Sequence, residues 1–533
     1  MKSKLTIIFL LIGVFFFSAC ENLLDVDQRG TTAVDEFYKT DTDAEEGIAA
    51  VYVNLRSMYF NWFWMSCNLS DDVYAGGGGR GDNAYIEGLN EYTFTPANTI
   101  VQGVFTSLYS IIYKCNMIID HVEGLTPVQK RVVAEAKTAR AFCYFYLVNF
   151  WGTPPFVLHE LLPSEYKQPN GKPSEIWAQI EKDLNEAINS TAMLEKSAPD
   201  DKTVGGHLSR QLAQTMLGKA YLWQKKYAEA ATQFDAVINS GKYSLITEFE
   251  NICRAGQDLG AERIFEAVAT NDPANSTTQG IIIFNNIFGW RTDHMNIVGF
   301  FAGMHDIHFL GWGFNSPTKT VYDAFVEMEG VDGYRLNSTM LRYDQVLGIS
   351  KVPGFELTVG GVGLYGHEGY FPWKHRILGS EVVKGAAPIY WHSNLQYVRY
   401  GEVLLLGAEA SLMAGNAGKA LNYINQIRQR AKLSTLASVT INDVKKEKRL
   451  ELWAEGTRYL DLQRWGDAAT AMPNKGAKIP TFYGFNPDGS NNVKYLHTNP
   501  SGSFGYKTGK HELLPFPEHE VMVNPNIVQN PGW

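Results

Sequence analysis

The stretch from Arg399 to Trp465 leaves this chain the fewest choices. It reads RYGEVLLLGAEASLMAGNAGKALNYINQIRQRA, then a short polar break, then EKRLELWAEGTRYLDLQRWG. Leu404, Ala408 and Leu412 recur at helical spacing and make one apolar face. Gly415 and Asn416 supply a turn, and Ala420, Ile424 and Ile427 repeat the pattern on a second helix. The spacing predicts a third helix over 447–466, with Leu450, Trp453, Ala454, Thr457, Leu460 and Arg464 near one stripe. Its other faces carry Glu455, Arg458, Asp461 and Arg464 at three-residue steps, where opposite charges can pair. Gly456 inside that helix should cost roughly 1 kcal/mol against alanine, which points to close approach by a neighbour.

The opposite end of the chain carries export signals. Lys2 and Lys4 precede an uninterrupted apolar run, Leu5 to Phe17, too short to span a bilayer comfortably. Phe17-Ser18-Ala19-Cys20 has the form of a bacterial lipobox, with Phe17 in place of the usual leucine, so Cys20 is the expected lipidation site. An anchored chain needs no other membrane segment. Cys67, Cys115, Cys143 and Cys253 remain, widely spaced and without a CxxC, and read as free thiols. A net charge of −9 over 533 residues argues against nucleic acid, which needs basic patches. Gly76-x-Gly78-x-x-Gly81 fits a dinucleotide pattern, but no strand precedes it and no helix opens at its end. His305 and His308 lack a third ligand, so no metal and no cofactor is expected.

Between the ends, helical patterns run from about Asp41 toward Met65, breaking into loop at Asn61-Trp62-Phe63-Trp64, then Thr99 to His121, Val128 to Trp151, from Ser174 as a cap, and over 209–224 and 228–240. The last pair and the pair at 399–430 have a small-residue helix, a short turn and an alanine-rich second helix, the flavour of tetratricopeptide units that stack as a solenoid. From about Tyr243 to Ser393 helical periodicity fades, glycine and aromatics rise, and short alternating stretches appear, as at Arg263–Val268. A second irregular region covers 472–517. Long ordered loops in a compact protein are usually functional.

RYGEVLLLGAEA (Arg399–Ala410), IRQRAKL (Ile427–Leu433), the 447–466 segment, the ending LLPFPEHEVMVNPNIVQNPGW (Leu513–Trp533) and EAKTARAFCYFYLVNFWGTPPF (Glu135–Phe156) occur in the order of one family. Over nearly the whole mature chain the sequence resembles the SusD/RagB family, surface glycan-binding lipoproteins of Bacteroidetes. The resemblance implies a mainly α fold: a tetratricopeptide-like right-handed superhelix with a loop-rich, partly β insertion. On that basis the chain divides into a signal peptide (1–19), a lipidated tether (20–40), a helical part (41–242) with a ligand loop at 61–90, an insertion (243–395) and a C-terminal helical block and tail (396–533). The resemblance also implies a partner, a SusC-like TonB-dependent outer-membrane transporter whose mouth the lipoprotein caps, and residence at the outer membrane facing outward.

Tryptophans in helices are explained by packing. Those in expected loops, Trp62, Trp64, Trp290, Trp312, Trp373 and Trp391, are costly to leave in water and are tucked away or used. A flat ring can stack on the apolar face of a sugar while nearby polar groups fix its hydroxyls. The stretch 62–85 offers both kinds: Trp62, Trp64, Tyr74 and Tyr85 beside Asp71, Asp72, Arg80 and Asn83, with Trp290 and Trp312 placed to complete the surface. Trp312 also sits in GWGFNSPTKTVYDAF (Gly311–Phe325), which resembles a framework motif of the family. Arg399, Glu402, Glu409, Arg428, Glu451 and Arg458 read as structural ion pairs. The expected function is therefore non-catalytic oligosaccharide capture. Two other classes stay open: a glycoside hydrolase, which needs two carboxylates about 5–9.5 Å apart across the fold, and a protein-binding helical-repeat adaptor.

Overall fold

The computed structural model describes residues 37–272, 274, 287–291, 293–295, 311–349, 358–376, 378–383, 392–497 and 503–533. Cys20, Trp391, His305 and His308 lie outside the described residues. In chain order the helices are α1 (Asp41–Asn68), α2 (Ala84–Glu91), α3 (Thr99–His121), α4 (Pro127–Trp151), α5 (Pro173–Asn189), α6 (Arg210–Trp223), α7 (Tyr227–Ile238), α8 (Lys319–Glu329), α9 (Tyr334–Thr339), α10 (Tyr343–Ile349), α11 (Tyr400–Met413), α12 (Ala417–Arg430), α13 (Ile441–Glu451), α14 (Arg458–Trp465), α15 (Ala468–Ala471) and α16 (Glu518–Val523). The strands are β1 (Val73–Gly76), β2 (Arg263–Ala267), β3 (Phe314–Pro317), β4 (Met340–Arg342), β5 (Leu364–Tyr365), β6 (Tyr370–Pro372), β7 (Leu395–Arg399), β8 (Ile479–Phe485) and β9 (Asn491–His497). They pair, all antiparallel, as β1–β3, β2–β7, β4–β6 and β5–β8–β9.

Local chemistry sets where the long helices begin. Thr40 and Asp43 form a reciprocal capping box at the start of α1. The Asn98 side chain accepts from the backbone N–H groups of Ile100 and Val101 to open α3. Thr126 caps α4, and Pro127 occupies its first turn, where a missing N–H costs nothing. At α5 the cap is Lys172, without a side-chain bond, because Pro173 already starts the helix ahead of Ser174.

The solenoid expected from the two helical hairpins is present: α6–α7 and α11–α12 stack through α7 against α11. Small residues permit it. A Cβ on Gly218 would stand 2.7 Å from the Phe234 ring, and one on Gly407 3.0 Å from Ile238. Lys219 and Glu402 meet at 2.9 Å between the hairpins, both buried. The C-terminal tail closes on the end of α4. Trp151 donates its indole N–H to the Pro515 carbonyl, and Asn530 donates to the carbonyls of Trp151 and Leu514.

The 447–466 stretch departs from the expected single helix. It breaks after Glu451, Ala454 and Gly456 adopt positive φ (56° and 76°), and α14 starts at Arg458. The reason is tertiary. The Trp62 ring fills the space a Gly456 side chain would need, 2.8 Å from the Cβ position. The break frees backbone carbonyls, and the insertion supplies their donors. Lys374 Nζ donates to the carbonyls of Glu451 and Trp453, and His375 Nε2–H to that of Ala454. The freed turn also lets Glu451 and Glu455 reach Arg399 at 2.7 Å each, alongside Glu262 at 2.6 Å. Arg335 adds Glu329 and Glu447 at 2.7 Å each. A buried charge network thus ties helices and insertion into one core, and leaving any partner unpaired there is expensive.

The insertion is more ordered than its sequence suggests, with α8, α9 and α10 among its short strands, and the 472–517 region contains the β8–β9 hairpin. Cys67, Cys115, Cys143 and Cys253 are free thiols.

Candidate functional site

The residues singled out along 61–90 separate into three environments. Trp62 and Trp64 do not lie in a loop: α1 continues to Asn68 and carries both into the core. Trp62 is 2% exposed, among Tyr59, Tyr146 and Tyr397, and Trp64 packs on Phe60 and Phe314. The binding role expected of these two rings is corrected: neither offers a face to solvent. The aromatic density that suggested a platform instead continues the apolar face of α1 by one more turn.

Asp71 and Asp72 also face inward. Singled out as ligand-binding candidates, they converge instead on one arginine pair. Arg458 grips Asp71 in a bidentate bridge (2.8 and 2.9 Å), and Arg449 spans Asp71 and Asp72 (3.1 and 2.7 Å). Burial opposes ionisation of Asp71, but Arg458 and Arg449 prevail and hold it at about 2. Burial pushes Asp72 the other way, up. Lys475 Nζ donates to the carbonyls of Asn68 and Ser70 and closes the cluster. The sequence gives no signal for that lysine. The group anchors the root of the following loop and leaves neither carboxylate free for a ligand.

Beyond that root the chain rises into a glycine rim. β1 pairs with β3, setting Gly76 opposite Phe314, and Gly77 N–H donates to the Gly313 carbonyl at 2.8 Å. A Cβ on Gly76 would lie 2.2 Å from the Gly313 oxygen, so only glycine allows the two strands to close this tightly. Trp312 stands at the edge, 40% exposed, edge-on to Phe314. Trp290 does not share that edge. It is 4% exposed, its indole N–H donates to the Pro372 carbonyl at 3.4 Å, and it packs on Phe371. With Phe371 it floors a narrow cleft walled by Gly77, Gly313, Arg291 and Tyr365. Trp373 is half-buried beneath the Arg376 guanidinium, 4.7 Å from its ring centre.

The polar groups at this rim come from several segments. Arg291 lies against Gly78 and Gly313 and pairs with Asp293 (2.5 Å) and Asp82 (3.7 Å). Arg80 reaches Glu91, Glu87 and the Tyr365 hydroxyl. Burial pushes that hydroxyl up to about 12, so it stays protonated and can donate or accept. Glu368 accepts from the Lys319 backbone N–H (2.6 Å) and from the Tyr495 hydroxyl (3.0 Å). Burial raises Tyr74, with the neighbouring Glu368 charge adding to the effect. Asn83 caps α2, its side chain accepting from Ile86 N–H. Tyr85 is 47% exposed, over a separate shallow hollow with Arg80, Phe94 and Asn98. So Trp312, Arg80, Tyr74 and Tyr85 fall on or beside the rim, while Arg291, Asp293, Tyr365, Glu368 and Tyr495 join them from positions that no local pattern marks.

Among the described residues no three His, Cys, Asp or Glu side chains cluster to hold a metal ion, and no helix is long and apolar enough to cross a membrane. The arrangement offers one exposed indole, hydroxyls, paired charges and backbone groups bared by glycine. That is the equipment of a surface that holds a polar ligand through stacking and directional hydrogen bonds.

Two family models match, at opposite ends of the chain: "SusD family" over residues 363–533 and "Starch-binding associating with outer membrane" over 24–222. SusD-like protein P25 of Formosa agariphila is 24% identical over 98% of this chain and 97% of its own length. The starch-binding protein SusD of Bacteroides thetaiotaomicron is 25% identical over 85% and 82%. Among solved structures, a laminarin-binding SusD-like protein superposes with a TM-score of 0.75 at 28% identity, covering 93% of this chain and 100% of that one. The surface glycan-binding protein A of B. thetaiotaomicron in complex with laminarihexaose superposes at 0.72 and 22% identity, covering 92% and 99%, a likeness of fold. The stacked hairpins, the partly β insertion and the tail folded onto α4 are therefore those of a shared architecture, and the chain is SusD-like in sequence at both ends and in fold.

Proposed function

We propose that this chain binds oligosaccharide at the rim between β1 and β3 and presents it to an outer-membrane transporter. The observation that carries the reading is Trp312. It is a large apolar ring left 40% exposed beside polar side chains and a glycine loop, in a chain whose other described tryptophans are better covered. Exposed indole costs solvation free energy unless a ligand covers it, and a sugar's C–H face is a suitable cover. Tyr365, which lines the adjoining cleft with Gly313, and Arg80, bonded to its hydroxyl, supply hydroxyl and N–H groups, and the relatives' names, starch-binding and laminarin-binding, agree with a carbohydrate ligand. Nothing in the Asp71–Asp72 pair favours the hydrolase alternative, since both carboxylates are held by arginines.

Replacing Trp312 by Ala should weaken retardation in glycan-containing native gels about tenfold or more, equivalent to ~1.4 kcal/mol. Unchanged retardation would defeat the assignment of the rim. The delivery step needs a partner, and the family points to a SusC-like TonB-dependent barrel, with Cys20 as the lipid-bearing residue that keeps the protein at the outer membrane, facing the exterior. Co-purification of such a barrel with the full chain from outer membranes, and release of a Cys20→Ala variant into the soluble fraction, are the expected results.

A further inference from the structure

The charges around the rim carry a statement about which glycans it accepts, one that rests on the glycan-binding reading above. Among the described residues two guanidinium groups stand at the rim, and both are occupied. Arg291 is claimed by Asp293, with Nε at 2.8 Å and Nη2 at 2.5 Å, and approached by Asp82 at 3.7 Å. Arg80 is claimed by Glu91, with Nη2 at 3.0 Å, and approached by Glu87 at 3.5 Å. Two cations thus face four carboxylates. Asp82 and Asp293 are exposed, so their negative charge reaches a ligand rather than being hidden behind the arginines. The two lysines beside β8 and in β9, Lys478 and Lys494, sit over the rings of Tyr495 and Tyr483.

An anionic sugar brought to this rim would meet carboxylates first. It would have to displace an internal ion pair to reach a guanidinium, and like charges brought together in a partly desolvated cleft are strongly disfavoured. A neutral sugar meets hydroxyls, an indole face and fixed carboxylates that accept hydrogen bonds from its own hydroxyls. We infer that the rim selects uncharged oligosaccharides and rejects uronate-bearing or sulfated ones, with Asp82 and Asp293 as specificity-determining residues that do so by occupying Arg291.

The test uses the detergent-solubilised full chain and two panels of hexasaccharides in isothermal titration: neutral glucans and mannans of several linkages, and polyuronates and sulfated galactans. The expected result is binding by at least one neutral member, with every anionic member at least about tenfold weaker at low salt, where repulsion is least screened. An anionic hexasaccharide that binds as tightly as the best neutral one overturns this inference and leaves the glycan reading standing. Binding by neither panel overturns the glycan reading and this inference with it. A second measurement probes the residues. The Asp82→Asn/Asp293→Asn double variant frees Arg291, and its affinity for the anionic panel should rise about tenfold and fall again with added salt. A variant showing no gain, with circular dichroism matching the parent, would remove Asp82 and Asp293 from the role assigned to them.

Discussion

Trp62 and Trp312 belong to the same set of candidate rings and ended in opposite places. Trp62, 2% exposed at the end of α1, wedges against Gly456 and helps impose the break between α13 and α14. Trp312, 40% exposed, precedes a four-residue strand on a rim held by glycine-to-backbone contacts. One region spends its aromatic surface on holding helices together, the other leaves it for a ligand. The difference is in what surrounds the ring, and that surround comes from residues hundreds of positions away: Tyr397 for Trp62, Gly77 for the turn beside Trp312.

The comparison breaks if mutation treats the two regions alike. The largest effect is expected in the buried charge network. Arg399→Met removes the one cation shared by Glu262, Glu451 and Glu455, leaving them only Arg430, Arg335 and Lys374, and should cost roughly 3–5 kcal/mol in urea unfolding, enough to impair expression. Trp62→Ala should follow at about 3–5 kcal/mol from lost packing and a cavity beside Gly456. If instead Trp62→Ala left stability intact and abolished glycan binding, the division between the two regions would fail.

Acid should act on the core next. Burial holds His375 at about 3, reinforced by Lys374, and burial also holds His367 and His511 at about 3. An unfolded histidine titrates near 6.5. Below that value the unfolded chain binds protons that the folded core refuses, so stability should fall steadily from about pH 6.5 toward 3, by a few kcal/mol per histidine in order of magnitude. Above 6.5 these groups are neutral in both states and contribute no slope. His375→Gln should flatten part of the acid limb. An unaltered limb would show that His375 does not govern it.

Asp71→Asn removes half of a bidentate grip at the root of the glycine loop. A loss of about 1–3 kcal/mol is expected, with a smaller effect on glycan affinity than Trp312→Ala. The smallest stability effect belongs to Trp312→Ala itself, within about 0.5 kcal/mol, as for an exposed side chain. A large loss of stability there would recast Trp312 as framework, the role its place in Gly311–Phe325 also suggests.

Much of the scaffold was legible before any coordinates. Leu404, Ala408, Ala420 and Ile424 repeat at 3.6-residue spacing, and Gly218 and Gly407 announce close stacking, because helical burial is a local periodicity. The site was less so. Arg80, Tyr74, Tyr85 and Trp312 were visible as residue types in a glycine-rich setting. Arg291, Tyr365 and Glu368 were not, because a rim built from β1, β3, β5 and the chain between them has no period to read.

By itself the sequence determined the long helices outside the insertion, the two stacked hairpins and the kinship of the chain, since each depends on contacts within a turn or two or on motifs in order. Only the tertiary structure decided where α13 stops, which tryptophan is buried, and that Asp71 and Asp72 serve arginines rather than a ligand. Those outcomes depend on long-range partners: Trp62 against Gly456, Lys374 on the freed carbonyls, Arg449 and Arg458 on the aspartates. Helical periodicity is written along the chain, whereas burial and charge pairing are settled only when distant segments meet.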